Sequence, residues 1–333
     1  VCWSPELSLF VGATDTGNSI VTSSDGITWT SRTVPSGYTT HYSVCWSSEL
    51  NLFAMGCDGN PSDEAIITSP DGITWIARST PAGFDQCMGV CFSPELSMFV
   101  ATSQTSPYII YSNNGTTWSS ATVANQCSAV CWSPELKLFV AQGEGTTYTS
   151  SNGTTWVTGS ALNTTISTTS FNGLCWSPEL YMFVMANEYS GDAILYTSPD
   201  GLIWTMRINP GVSSFKSCIW LPELSMLAVI NGTFLYYSFN GIEWVNTSVG
   251  DANNSSIAWS PELSIFAICV QTSSAVYTST PALPSSLNTI RGPSSQLYLN
   301  PSNGFLGISQ SSPAYQLDVT GTSRLTGIML LTA

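Results

Sequence analysis

Seven glutamates recur inside one short phrase: WSPEL at 3–7, WSSEL at 46–50, FSPEL at 92–96, WSPEL at 132–136 and 176–180, WLPEL at 220–224 and WSPEL at 259–263. Seven carboxylates at equivalent positions suggest a ring on one face. Hard cations need several oxygens at about 2.3–2.6 Å, and equivalent residues of separate repeats stand much farther apart. Capping of their own turns is therefore the expected role of Glu6, Glu49, Glu95, Glu135, Glu179, Glu223 and Glu262. A denser acidic group, Asp58, Asn60, Asp63 and Glu64, offers oxygen ligands at calcium-like spacing without the EF-hand pattern. The chain is expected to need no cofactor, with calcium at this loop as the alternative. His41 is the only histidine, so a His-rich metal site and a Ser-His-Asp triad elsewhere are excluded. Arg32, Arg78 and Arg207 carry forks suited to carboxylates, yet each sits three residues after a repeated Trp, and equivalent outer positions cannot converge.

The elements that must position these groups are set by the repeats. The aromatic that opens each phrase recurs at spacings of 43, 46, 40, 44, 44 and 39 residues. With strand-like content, that period indicates a β-propeller of about four strands per blade. A second phrase follows the first six copies: SSDGITW at 23–29, SPDGITW at 69–75, SNNGTTW at 112–118, SSNGTTW at 150–156, SPDGLIW at 198–204 and SFNGIEW at 238–244. Asp-Gly or Asn-Gly between apolar runs marks a tight hairpin turn. Asp25, Asp71, Asn114, Asn152, Asp200 and Asn240 are thus expected to accept turn amides. All 12 Trp residues occupy one of the two repeated positions. In blade 1, Val1–Ser4, Leu9–Ala13, Ile20–Ser23 and Thr28–Val34 read as strands, bounded by turn residues.

In a four-stranded meander the 1–2 and 3–4 turns share one end of the blade. Both repeated phrases therefore fall on one nearly invariant face, and the opposite face carries the variable 2–3 loops and crossovers. Binding usually resides in loops that vary on a fixed scaffold. The residues expected to meet a ligand there are Tyr38, His41, Tyr42, Phe84, Asp85, Tyr108, Phe171 and Tyr189.

The second phrase resembles the Asp-box (BNR) repeat of sialidases and many other propellers, over blades 1–6 and with one residue fewer between Ser and Gly than the commonest form. The resemblance implies the fold. It implies catalysis only weakly, since a sialidase would add a converging arginine triad, a tyrosine nucleophile with a glutamate partner and an acid/base aspartate, which no motif marks here. Near the C-terminus, SSPAYQLDVTGTSRLTG at 311–327 resembles a segment common in phage and large-virus tail fibres and spikes. That segment often precedes an intramolecular chaperone of the endosialidase type, which helps trimerise the fibre and is then cleaved. The resemblance implies a fibre protein of homotrimeric assembly, processed or truncated after Ala333.

Ten cysteines do not read as a disulfide framework. Cys2, Cys45, Cys91, Cys131 and Cys175 share one slot that Ile219 and Ala258 fill elsewhere, so it is a buried apolar position. Cys87 and Cys127 lie four residues before that slot in adjacent blades and could pair if their Cα atoms come within about 4.4–6.8 Å. Cys57, Cys218 and Cys269 stand apart from that slot. A mostly reduced set suits assembly in a cytosol. Only 8% of residues are charged and the net charge is −14, which argues against nucleic acid and anionic membranes as partners. No apolar run approaches 18 residues.

The expectation is an all-β chain: a seven-bladed β-propeller of four-stranded blades over 1–280, a linker or closing strand over 281–291, and a β-rich trimerisation stalk over 292–333. Blade 7 lacks the second phrase, so its fourth strand must come from 286–291 or from a segment upstream of Val1. Pro281 and Pro284 favour the upstream source. The expected function is that of an exposed viral or phage fibre head on the virion surface, binding a host glycan or protein without catalysis. A glycan-cleaving propeller and a purely structural decoration protein are the alternatives.

Overall fold

A computed structural model describes residues 1–14, 19–38, 40–59, 63–162, 173–189, 192–208, 215–249, 254–270, 276–278, 289–291, 296–299, 306–308 and 317–319. The chain divides into two compact units, Val1–Thr278 and Ser279–Ala333.

The first unit is a β-propeller of successive antiparallel meanders. Blade 1 comprises β1–β4 (Cys2–Ser4, Leu9–Thr14, Ser19–Ser23, Thr30–Thr33), and blade 2 comprises β5–β8 (His41–Ser47, Leu52–Cys57, Ile66–Ser69, Ile76–Arg78). Blade 3 is β9–β12 (Cys87–Ser93, Met98–Ser103, Ile109–Ser112, Ser119–Ala121), and blade 4 is β13–β16 (Cys127–Ser133, Leu138–Gly143, Thr146–Ser150, Val157–Thr158). Blade 5 is β17–β20 (Gly173–Ser177, Met182–Tyr189, Asp192–Ser198, Thr205–Ile208), and blade 6 is β21–β24 (Phe215–Leu221, Met226–Asn231, Phe234–Ser238, Val245–Ser248).

Seven four-stranded blades were expected; among the described residues six are found. The seventh repeat forms a three-stranded sheet, β25–β27 (Asn254–Ser260, Ile265–Val270, Val276–Thr278). It packs against blade 1, where Trp3 and Phe10 share an apolar cluster with Ala258, Ile265 and Ala267. A local difference accompanies the three described strands: the fourth strand of every other blade follows an Asp/Asn-Gly turn, and the sequence of this repeat has no such turn.

An aromatic stack builds the cores of blades 1, 2, 4 and 5. Register places Trp3 opposite Phe10, Trp46 opposite Phe53, Trp132 opposite Phe139 and Trp176 opposite Phe183. Ring centroids in these pairs lie 4.5–4.6 Å apart. The same Phe then meets the Trp of the second phrase, for example Phe53–Trp75 at 6.3 Å. Such aromatic pairs add about 0.5–1.5 kcal/mol each beyond area burial.

In the second unit, β28 (Thr289–Arg291), β29 (Gln296–Leu299) and β30 (Leu306–Ile308) pair antiparallel, and β31 (Leu317–Val319) joins β30 in parallel. The stretch read as a linker or closing strand thus contributes β28 to this sheet, where it pairs with β29.

Candidate functional site

On the repeated-phrase face, polar groups of the two phrases bond one another at most positions. In the first phrase the buried Ser, and not the Glu, caps the turn: Ser4, Ser47, Ser93, Ser133, Ser177 and Ser260 each accept the backbone N–H three residues on, at 3.1–3.2 Å. The glutamates reach forward to the next repeat instead. Trp46 donates its indole N–H to Glu6 (2.6 Å), Trp132 to Glu95 (2.7 Å), Trp176 to Glu135 (2.5 Å) and Trp259 to Glu223 (2.6 Å). Trp3 donates to Glu262 (2.7 Å), which joins the first and last repeats. The seam between blades 2 and 3 cannot form this bond, because Phe92 has no N–H to offer Glu49. At the seam between blades 5 and 6 the buried Trp220 Nε1 has no partner.

The second phrase folds as an Asx turn of recurring geometry. Asp25 Oδ1 accepts the amides of Ile27 (2.8 Å) and Thr28 (2.7 Å) and the Ser23 hydroxyl (2.9 Å). Trp29 closes the turn onto the Gly26 carbonyl at 3.0 Å. The amides of Thr28 and Ile27 hold the Asp25 carboxyl down at about 2. Asp71, Asn114, Asn152, Asp200 and Asn240 accept the corresponding amides in their own blades. Gly26 has φ +70°, and a Cβ there would run into Ile265 of the neighbouring sheet. The position is therefore both a turn and an inter-blade contact. Arg32, Arg78 and Arg207 lie along the outer strands, their Nε donating to Thr22, Thr68 and Thr197 at 2.7–2.9 Å.

At the opposite end, where crossovers enter the inner strands, those strands surround a cavity of about 240 Å³ lined by residues of all seven repeats. A β-bulge recurs at its wall. Pairing slips by one residue between His41 and Ser43, between Gly89 and Cys87, between Cys127 and Ala129, between Phe215 and Ser217, and between Asn254 and Ser256. The bulged residues are Tyr42, Met88, Ser128, Lys216 and Ser255, and all five line the cavity. A bulge departs from the regular ladder and bends its strand, so one backbone device recurs at the cavity wall in five of the seven repeats. Close packing of the inner strands narrows the space: a Cβ on Gly173 would lie 2.7 Å from the Ser217 carbonyl carbon.

The expected ligand-facing residues separate into four groups. Tyr38 and Phe84 are fully buried core residues, and His41 is buried at the start of β5. Crossover loops fold back on the blades and spend their aromatics on packing. Tyr38 also donates to Glu64 at 3.4 Å. Burial lowers the His41 pKa to about 4, and neither ring nitrogen finds a partner. Asp85 accepts the Asp63 amide at 3.2 Å, and the half-buried Tyr108 packs on the blade 3–4 core. Phe171 lies outside the described residues, and of Tyr189 only the backbone, the last residue of β18, is described. Tyr42 alone joins the cavity. Its hydroxyl donates to Asp58 (3.0 Å) and accepts from Gln86 (3.0 Å), which also donates to Asp58 (2.8 Å).

The loop read as a calcium candidate uses its carboxylates internally. Asp58 holds Tyr42 and Gln86, Asp63 accepts the Gly83 amide at 2.7 Å, and Glu64 accepts Tyr38; Asn60 lies outside the described residues. Among the described residues no group of three or more His, Cys, Asp or Glu is placed to hold a metal ion. All ten cysteines are free thiols, including Cys87 and Cys127, so these two form no bridge. Sequence reading missed four of the five bulge residues. Their signal is positional: each stands four residues before the aromatic of the first phrase and differs from blade to blade.

No protein-family model and no curated protein matches this chain. Among solved structures it is similar to a streptogramin B lyase, with a TM-score of 0.65 at 9% identity over 81% of this chain and 89% of that one. It is also similar to a functionally unknown protein from Desulfotomaculum acetoxidans DSM 771, with a TM-score of 0.59 at 10% identity over 80% and 90% of the two chains. A third similarity is to YCF48 bound to D1 peptide, with a TM-score of 0.54 at 16% identity over 79% and 85%. At such identities the likeness concerns the fold alone.

Proposed function

We propose that this chain is a non-catalytic binding propeller, the receptor-binding head of a viral or phage fibre, which grips a host-surface glycan or protein with its variable face. The observation that carries the binding reading is the bulge ring. Five inner strands each place one bulge residue, Tyr42, Met88, Ser128, Lys216 or Ser255, in the lining of one cavity on an otherwise repetitive scaffold. Repetition elsewhere and variation here is the pattern of a recognition surface. Hydrolysis of a glycan uses two carboxyl groups about 5–9.5 Å apart, and the described lining of this cavity contains none.

The virion setting rests on the tail-fibre-like segment at 311–327 and the Asp-box-like turns, as does trimerisation through the C-terminal unit. The test is a panel of host glycans and membrane proteins offered to the purified chain, scored for retention and for released product. Retention of intact ligand supports the reading. Released product would replace it with a glycan-cleaving activity, and silence in both channels would leave a structural decoration protein.

A further inference from the structure

We infer that Cys175 and Cys218 form an oxidation site, at which a peroxide converts the two thiols into a disulfide that staples blade 5 to blade 6. The inference is independent of what the propeller binds. Cys175 lies on β17 and Cys218 on β21, the first strands of neighbouring blades. Cys175 stands opposite Val184 of β18, and the Cys218 thiol crosses the seam to donate to the Val184 carbonyl at 3.5 Å. Cys175, Val184, Trp220 and Leu227 share one buried apolar cluster, and Cys218 packs against it. The two backbones also approach closely here, since a Cβ on Gly173 would run into the Cys218 backbone nitrogen. Such proximity is what a disulfide requires, its Cα atoms standing about 4.4–6.8 Å apart.

Two comparisons single out this pair. Cys2, Cys57, Cys87, Cys91, Cys127 and Cys131 each donate to a carbonyl one or two residues away in their own stretch of chain. Cys218 instead bonds across a seam. Its hydrogen bond with the Cys175 sulfur, together with burial, holds the Cys175 thiol well above its usual range. The seam is also one that lacks the indole–carboxylate tie, because the buried Trp220 Nε1 has no partner. Cys218 is half-buried and borders the central cavity, whereas Cys175 is buried, so a small oxidant meets Cys218 first. The Cys218 thiolate attacks one oxygen of hydrogen peroxide, the O–O bond breaks, and the leaving hydroxide is protonated to water; Cys218 becomes a sulfenic acid. The Cys175 thiolate then displaces hydroxide from that sulfur, the S–S bond forms, and a second water leaves. Two thiols are oxidised and one peroxide is reduced to two waters. Burial keeps Cys175 mostly protonated, so closure is slow, and contact between the side chains rather than thiolate abundance selects this pair. A reducing cytosol keeps the pair open, and oxidising surroundings close it.

The experiment treats the full chain with hydrogen peroxide, removes the excess with catalase, counts thiols in denaturant and maps bridges by mass spectrometry after digestion without reductant. Eight thiols are expected, the ten of the chain less two. A peptide joining Cys175 to Cys218, lighter by two hydrogens than its parts and split by dithiothreitol, identifies the bridge. The oxidised chain should melt roughly 4 °C or more above the reduced one, because a bridge constrains the unfolded state. Cys175→Ala, which places in this slot the residue that Ala258 supplies in the last repeat, should form no bridge and leave a sulfenic acid on Cys218 that dimedone captures. Cys218→Ser should leave Cys175 unmodified under the same treatment, and neither variant should gain Tm on oxidation. Ten thiols after treatment, a bridge between other cysteines such as Cys57 and Cys87, or Cys218 oxidised in the parent without a link to Cys175 would overturn the proposal. The mapping is read on the parent chain, so it decides the matter even where a variant folds poorly.

Discussion

Replacing Glu135 with Ala tests whether the repeated glutamates serve the next blade or their own turn. The change removes the acceptor of the Trp176 indole N–H, a 2.5 Å bond to a carboxylate, while the Ser177 and Ser133 turn caps stay intact. A hydrogen bond to a charged group contributes about 1.5–3 kcal/mol. Glu135 itself is exposed, so screening by water reduces that to about 1–2 kcal/mol. On the scale of large domains this lowers Tm by roughly 2–6 °C. Glu49→Ala supplies the internal comparison. Its successor blade offers Phe92, and its own partner is the exposed Ser48 hydroxyl, so the loss should stay below about 0.5 kcal/mol. Phe92→Trp should then gain stability in the parent and not in Glu49→Ala, a coupling that a double-mutant cycle reads directly. Equilibrium urea unfolding, followed by tryptophan fluorescence and by far-ultraviolet dichroism, measures all four. Equal losses in Glu135→Ala and Glu49→Ala, or no coupling between Glu49→Ala and Phe92→Trp, would show that the carboxylates act within their own turns.

His41 should make stability pH-dependent. Its folded pKa of about 4 lies below the ordinary 6.5, so the unfolded chain binds the proton first. Its contribution is whole above about pH 6.5 and is lost as pH falls toward 4, by up to about 3 kcal/mol, and urea midpoints of the parent minus His41→Leu should trace that window. Asp25→Asn should leave Tm within roughly 2 °C by calorimetry, since Asn already accepts the same amides at 114, 152 and 240. Gly173→Val should cost about 1–3 kcal/mol in the same unfolding assay, because the Ser217–Cys218 backbone occupies the space a side chain needs. Thiol titration at pH 8 should find ten groups in denaturant and very slow reaction in the native chain, since burial raises thiols such as Cys57, Cys87 and Cys127 well above their usual range.

Much of the propeller is legible in the sequence because its parts are local. A turn spans four to seven residues, and Ser23, Asp25, Gly26 and Trp29 carry their own partners within that span. Alternating apolar strands between such turns specify a meander, and copies of it specify a ring. The count of complete blades was not legible: seven four-stranded blades were expected, and the last repeat, which lacks the turn phrase, shows three strands among the described residues.

What repetition does not encode is contact between copies. Glu135 and Trp176 lie 41 residues apart, and nothing in either phrase says that the first reaches the second. Burial of Tyr38 and Phe84 follows from how crossovers fold back onto blades, a packing choice among groups distant in sequence, so aromatics that looked like ligand contacts became core. The bulges depend on pairing register, which only the assembled sheet defines. By itself the sequence determined the repeat unit, the turns and which face varies. Tertiary structure alone decided that Tyr42, Met88, Ser128, Lys216 and Ser255 share one cavity, because residues of separate repeats meet only when the inner strands are arranged around a common space.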